Sequence, residues 1–330
     1  MDKREIMPGL VRIPLPIPRG GFESFINGYL ICDRRRGRTI LMETGPACSV
    51  PQLARDLHEL GADKIDYLIY THIHLDHAGG VGQFYKLFPQ TKVIAPRRGR
   101  AHLVDPSKLL AGSRATIGAL CDVYGAPEPL PQEALAPEDL VLDGLTVIET
   151  PGHAPHHDSY IYELDGKRLL FAGEAAGCCF TLPDGGIFIR PATPDKFFYE
   201  VSMESLDKLL ALKDIDLVCY PHAAAARDWR RCLEAAREQM ELWKDIILAL
   251  PAEATAEDAF QAVMAHDPAL KELSRLPENE RRRSSTSCAR APKATWAGSR
   301  ETEKLILAVC LMTDSCRRLL RRNAPPAAVI

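Results

Sequence analysis

Ten cysteines occur without a single C-x-x-C spacing, and several of them, Cys32, Cys219, Cys232 and Cys310, fall within apolar stretches. That pattern reads as buried thiols in a reducing compartment rather than as a disulfide framework. No apolar run reaches the length of a membrane span. No secretory h-region is present either, since the charged start Met1-Asp2-Lys3-Arg4-Glu5 is followed by Pro8, Pro14, Pro16 and Pro18. A soluble cytoplasmic protein is the resulting expectation, with no membrane partner. Excess charge is lacking too. A formal charge of -3 over 330 residues gives no electrostatic reason to expect nucleic acid as a partner. The basic runs Arg34-Arg35-Arg36, Arg281-Arg282-Arg283 and Arg321-Arg322 read as solvated surface or tail. There is no G-x-S-x-G stretch, so an elbow-borne serine nucleophile is not expected.

What the chain does have is clustered imidazole. Thr71-His72-Ile73-His74-Leu75-Asp76-His77-Ala78-Gly79-Gly80 packs three histidines and a carboxylate into six positions, directly after the apolar run Tyr67-Leu68-Ile69-Tyr70. Neutral imidazole nitrogen and carboxylate oxygen are ligands that Zn, Fe and Mn share, and a strand ending in a tight polar loop can aim several at one point. Further candidates follow in order: His153 in Thr150-Pro151-Gly152-His153, Glu174 in Phe171-Ala172-Gly173-Glu174, and His222 in Val218-Cys219-Tyr220-Pro221-His222. Each one closes an apolar, strand-like run.

This order resembles the metallo-β-lactamase fold superfamily, whose pattern is H-x-H-x-D-H, then Gly-His, then Gly-Asp, then a final histidine at a strand end. The resemblance covers roughly residues 8 to 225 and extends to Asn27-Gly28-Tyr29-Leu30-Ile31, Glu43-Thr44-Gly45-Pro46 and Ser205-Leu206-Asp207-Lys208-Leu209-Leu210. It implies an α/β fold, a four-layer αββα sandwich, with the ligand-bearing turns along one edge. It also implies two divalent ions, zinc first and iron or manganese as alternatives. His72, His74 and His153 would hold one, Asp76, His77 and His222 the other, and Glu174 would bridge them. Two such ions roughly 3.5 to 4 Å apart can share a hydroxide and polarise a carbonyl or phosphoryl oxygen. Asp76 and Glu174 are then the catalytic candidates. The implied activity is hydrolysis of a small-molecule ester, thioester, lactone or phosphoester.

An iron-dependent oxidoreductase acting on oxygen, nitric oxide or persulfide is the alternative on the same scaffold. The complete second set, Asp76, His77 and His222, argues against its mono-iron form. A third reading is a metal-stabilised binding module without activity. Glutathione thioesters would need a basic patch, for which Arg97, Arg98 and Arg100 are candidates.

Two acids depart from the family pattern, which has aspartate at both places. Glu174 carries an extra methylene, on the order of 1.5 Å of reach against coordination tolerances of about 0.2 Å. Its backbone must retreat, the ions must shift, or it serves only one of them. Glu43 is expected to accept a ring N–H from a ligand histidine or to bond backbone amides in its turn. Relatives often show a second histidine after the Gly-His ligand, which implies a cleft-lining or ligand-orienting role for His156 or His157. His58, His102 and His266 read as solvated, and Cys178, Cys179 and Tyr220 as packing groups.

Strands are expected over Leu10–Leu15, Phe25–Cys32, Thr39–Glu43, Tyr67–Tyr70, Lys92–Ala95, Leu145–Glu149, Ser159–Glu163, Arg168–Ala172 and Leu217–Tyr220. Helical periodicity marks Val50–Leu60, Val81–Leu87 and Ser202–Leu212, and Gly166 marks a hairpin turn. The stretch 97 to 140 reads as irregular, either a wall of the substrate cleft or a surface excursion. Three segments follow: a catalytic domain over 1–225, a helical extension over 226–283 whose apolar stripe packs as core, and an atypical tail over 284–330. Thr255 with Asp258 looks like a capping box opening the second helix of the extension. A frameshift near Arg283 would account for the abrupt loss of pattern in the tail, and the coding DNA decides that point.

Overall fold

Each run named above as a strand contains one in the computed structural model, which describes residues 4–194, 197–251 and 254–276. The tail over 284–330, with Cys310 and the frameshift reading, lies outside the described residues. The first sheet is formed in chain order by β1 (Arg4–Met7), β2 (Leu10–Pro14), β3 (Asn27–Asp33), β4 (Arg38–Met42), β5 (Tyr67–Ile69) and β6 (Lys92–Ile94). Its first four strands are antiparallel, whereas β4, β5 and β6 run parallel. Parallel neighbours need crossovers. These are α1 (Val50–Glu59) before β5, and α2 (Leu75–Ala78) with α3 (Val81–Leu87) before β6.

Between the sheets the first part of the stretch 97 to 140, expected to be less regular, folds as the short helices α4 (Arg100–Val104), α5 (Ser107–Ile117) and α6 (Leu120–Tyr124), while the part after Tyr124 runs irregularly but for one short turn. The signal is weak because α5 buries none of its residues fully, leaving no apolar stripe to read.

The second sheet has the order β13-β12-β9-β8-β7, built from β7 (Leu145–Glu149), β8 (Asp158–Leu164), β9 (Lys167–Phe171), β12 (Leu217–Cys219) and β13 (Ala225–Ala226). A separate hairpin, β10 (Cys178–Thr181) with β11 (Ile187–Arg190), follows β9. The turn from β8 to β9 places both Asp165 (φ 48°) and Gly166 (φ 76°) in the left-handed region, as a two-residue type I′ turn requires. Then come α7 (Tyr199–Leu210), α8 (Trp229–Leu248) and α9 (Ala256–His266). Strands β1, β10, β11 and β13 were not expected; each has at most four residues, too few to show a period.

Side chains alternate across each sheet. In the first, Tyr29, Ile31, Met42 and Ile69 face Tyr160, Tyr162, Leu169, Phe171 and Leu217 of the second, forming the layer between sheets. Their neighbours Leu30, Leu41 and Leu68 face Leu53, Leu57 and Phe84 of α1 and α3. On the far side Ile161, Leu170 and Val218 pack against α7 and α8 through Leu206, Leu209, Cys232, Leu233 and Trp243. The order of layers is therefore helix, sheet, sheet, helix. Each fully buried aliphatic side chain contributes roughly 1.5 to 3 kcal/mol.

The extension closes that outer layer. Thr255 Oγ1 accepts from the Asp258 N–H and the Asp258 carboxylate accepts from the Thr255 N–H, the reciprocal box that opens α9. Because β9 runs parallel to β12, and β7 and β9 are both antiparallel to β8, the ends of β7, β9 and β12 lie on one edge. The end of β5 meets them there.

Candidate metal centre

Four loops supply the expected residues, one after each of β5, β7, β9 and β12. His72 and His74 stand on the loop after β5, and the first turn of α2 carries Asp76 and His77. His153 follows Gly152, whose φ of +135° and lack of a Cβ are both required: a Cβ would stand 2.2 Å from Ser202 Oγ. Glu174 follows β9, and His222 follows β12.

All seven side chains converge, in two groups. His72, His74, His153 and Glu174 form one, and Asp76, His77 and His222 the other, with the donor atoms of each lying within 4.8 Å of one another. In the first group Glu174 Oε2 lies 3.1 Å from His153 Nε2 and 3.4 Å from His72 Nε2, and His153 Nε2 lies 3.1 Å from His74 Nδ1. In the second, Asp76 Oδ2 lies 3.6 Å from His77 Nε2 and 3.5 Å from His222 Nε2. Glu174 touches both groups: Oε2 is 3.3 Å from His77 Nε2 and Oε1 is 3.4 Å from His222 Nε2. The carboxylate therefore stands between the two groups, within 3.4 Å of ring nitrogens in each.

These separations fit a cation. Ligands about 2.0 to 2.1 Å from a tetrahedral ion stand about 3.3 Å apart. The Nε2 atoms of His72 and His77 are buried without a hydrogen bond. Buried polar atoms rarely go unsatisfied, so two such nitrogens at the focus of the site fit metal ligation.

Protonation follows the same geometry. Burial, with His77 beside it, pushes His72 well below the ordinary imidazole range, and burial with His153 does the same to His74. Burial would also raise Glu174, but His153 and His222 outweigh it and hold the carboxyl well below its usual value. For His77, burial is outweighed by Asp76 and then Glu174, which lift it to about 9. A cation bound there competes with that proton.

The outer hydrogen bonds fix which ring nitrogen faces the focus. Glu43 Oε1 accepts from the Thr71 N–H at 3.0 Å and from Thr71 Oγ1 at 2.7 Å, and Thr71 Oγ1 lies 3.1 Å from His72 Nδ1. With its own proton given to Glu43, Thr71 must accept from the ring, leaving His72 Nε2 free. Glu43 Oε2 stands 3.9 Å from His77 Nδ1, too far for the direct ring bond expected of it. It acts on His72 through Thr71 and also meets a backbone amide. His153 Nδ1 donates to the Ala192 carbonyl at 3.0 Å, again leaving Nε2 free.

Several contributors were not legible in sequence. Phe25 stacks on His222. Tyr124 of α6 is buried, and burial, Asp76 and Glu174 together hold its hydroxyl well above the usual phenol range. The short helices before the second sheet thus bring a buried phenol under the influence of two of the site's carboxylates. Of the paired histidines, His157 bonds the Glu174 backbone, while His156 stands edge-on to His74. His58 and His266 are exposed, whereas Cys178, Cys179 and Tyr220 are buried in the outer core.

The model of the metallo-beta-lactamase superfamily matches residues 21–222, which is more than half of the chain. The chain belongs to the metallo-beta-lactamase superfamily. Within it, a metallo-beta-lactamase fold-containing protein, ST1585, of Sulfurisphaera tokodaii is 30% identical over 209 residues, 60% of this chain and 73% of that protein. A hydroxyacylglutathione hydrolase of Rhodopseudomonas palustris is 30% identical over 188 residues. That match takes in 57% of this chain and only 58% of the enzyme. Among solved structures, a metallo-beta-lactamase family protein from Thermus thermophilus matches with a TM-score of 0.59 at 23% identity, over 81% of this chain and 91% of that one. The solved ST1585 structure gives 0.56 at 24% identity, over 81% and 98%. At these identities the structural likeness speaks for the fold.

Among the described residues no helix is long and apolar enough to cross a membrane. The described cysteines carry free thiols.

Proposed function

We propose that this superfamily member is a metal-dependent hydrolase that holds two divalent ions, zinc first among them, and cleaves a small ester, thioester, lactone or phosphoester. The observation that carries the reading is the Glu174 carboxylate lying within 3.4 Å of ring nitrogens in both donor groups. His72, His74 and His153 would hold one ion and Asp76, His77 and His222 the other. Ions held there would supply an acidified water as nucleophile and polarisation of the substrate oxygen.

The residues themselves supply the rest. Thr71, with Glu43 behind it, and the Ala192 carbonyl engage Nδ1 of His72 and of His153, so that Nε2 of each faces inward. Burial of His72, His77, His153, Glu174 and His222 keeps bulk water out. Asp76, whose side chain is 22% exposed, marks the side from which a substrate enters.

Among substrates, thioesters come first because of the hydroxyacylglutathione hydrolase relatives. The glutathione form of that reading has less support. Arg97 pairs with Glu138 at 2.9 Å, and Arg100 bonds the Ala136 carbonyl beside the same acid. The candidate basic patch is thus partly neutralised. A reducing, cytoplasmic setting fits the free thiols and belongs to the same proposal.

The test is a panel of thioesters, lactones, phosphodiesters and β-lactams on metal-reconstituted protein, with elemental analysis alongside. Two ions per chain and turnover of one ester class support the reading. Tightly held iron with oxygen uptake would favour the oxidoreductase instead.

A further inference from the structure

Gly173 stands between two backbone groups that a closed set of hydrogen bonds ties together. The Glu174 N–H donates to His157 Nε2 at 3.0 Å, and His157 Nδ1 lies 2.9 Å from Thr150 Oγ1. Thr150 Oγ1 lies 2.8 Å from Ser159 Oγ, which donates to the Ala172 carbonyl at 3.0 Å. A peptide N–H can only donate and a carbonyl can only accept, so the two ends fix the sense of the whole chain. His157 Nε2 must present its lone pair and carry its proton on Nδ1. Thr150 then accepts from the ring and donates to Ser159, which donates to Ala172. One tautomer of one buried histidine satisfies every group.

The packing is equally specific. Gly173 has φ +57°, and a Cβ there would stand 2.3 Å from His157 Nε2. The ring occupies the space that any other residue would need. The Thr150 N–H also donates to the His157 carbonyl at 3.0 Å, pinning the ring's own backbone. Although the His157 ring centroid is 5.1 Å from that of His72, both of its nitrogens are already engaged, so it is not a ligand.

We propose that His157 is a positioning residue for Glu174: by holding the Glu174 N–H it sets where that peptide stands, and so how the longer carboxylate spans both donor groups. The inference rests on Glu174 being the shared ligand. Ligand placement tolerates about 0.2 Å, and a glutamate on an unheld, glycine-preceded peptide has more freedom than that.

The test uses metal-free full-length protein. Long-range proton–nitrogen NMR of the imidazoles, with the His157 signal assigned by its loss in His157→Gln, is expected to show the Nδ1–H tautomer. Zinc is then titrated against a chromophoric chelator, with thermal melts confirming folding. His157→Leu, which has no acceptor, should weaken the more loosely held ion by about 10- to 100-fold. His157→Gln, whose amide oxygen can reach the Nε2 position, should stay within a few-fold of the parent. Thr150→Val, which leaves Nδ1–H without an acceptor, should shift affinity in the same direction as His157→Leu and serves if that variant does not fold. An Nε2–H tautomer, or His157→Leu matching a parent that binds two ions, overturns the positioning role alone. A parent that takes up fewer than two ions overturns the shared-ligand reading itself and the positioning role with it.

Discussion

The Phe25 ring lies flat against the His222 imidazole, with centroids 4.2 Å apart and planes 13° from parallel. His222 Nδ1 has no hydrogen-bond partner, so this ligand candidate is oriented by stacking, whereas His72 and His153 are oriented by Thr71 and Ala192. An aromatic pair of this kind contributes about 0.5 to 1.5 kcal/mol beyond its buried area. Phe25→Ala is expected to weaken zinc binding at the Asp76, His77 and His222 group by roughly tenfold, the equivalent of about 1.4 kcal/mol, while Phe25→Tyr keeps most of it. Chelator competition reads the difference, and equal affinity in Phe25→Ala would contradict the role of the ring.

Glu43 combines two demands at one position. It takes φ +65°, a conformation that costs a non-glycine residue, and its Oε1 receives both polar groups of Thr71. Glu43→Ala leaves those buried donors unpaired and should destabilise the fold by about 1 to 3 kcal/mol. Glu43→Gln keeps an acceptor and should cost less. Urea unfolding of the metal-free proteins would rank the two, and the opposite ranking would count against the Thr71 relay.

The layered fold was largely readable because its strands are buried on both faces and rich in β-branched residues, as in Leu30-Ile31 and Leu68-Ile69. The seven converging residues were readable because the cluster from His72 to His77, and His153, Glu174 and His222 singly, all follow such runs. What was not readable comes from contacts distant in sequence. The stacking of Phe25 on His222 and the bond from His153 to Ala192 depend on how loops meet, not on local pattern. The helices between Arg100 and Tyr124 were hidden for another reason: short, half-exposed helices leave no stripe.

Asp267 joins the extension to itself. Its Oδ2 accepts from Trp243 Nε1 at 2.7 Å and Gln239 Nε2 at 3.2 Å, and its Oδ1 accepts from the Ala269 N–H. Asp267→Ala should therefore cost about 1 to 3 kcal/mol by stranding the buried indole and amide donors. Because Trp243 packs in the same apolar cluster as Leu170 and Val218, the loss should appear in the single main thermal transition. A separate low-temperature transition would show that the extension melts on its own.

Asp158 makes stability depend on pH. Burial, with the cross-strand Glu149 opposite it, pushes its carboxyl up to about 7. Its pKa in the unfolded chain is about 3.9. Between those values the folded chain keeps a proton that the unfolded chain has lost, so the contribution is full below about pH 4 and is lost as pH rises towards about 7. Asp158→Asn removes the effect. Thermal melts of metal-free protein should show the variant gaining on the parent more at about pH 8 than at about pH 4.5; the same difference at both would contradict the assignment.

The most direct measurement is the metal content of the parent and of Glu174→Ala after reconstitution with zinc and desalting, read beside turnover of whichever ester class the parent cleaves. Two ions per chain are expected in the parent, with the loss of at least one in Glu174→Ala and the loss of most turnover with it. Two retained ions and an unchanged rate in Glu174→Ala would contradict the shared-ligand reading.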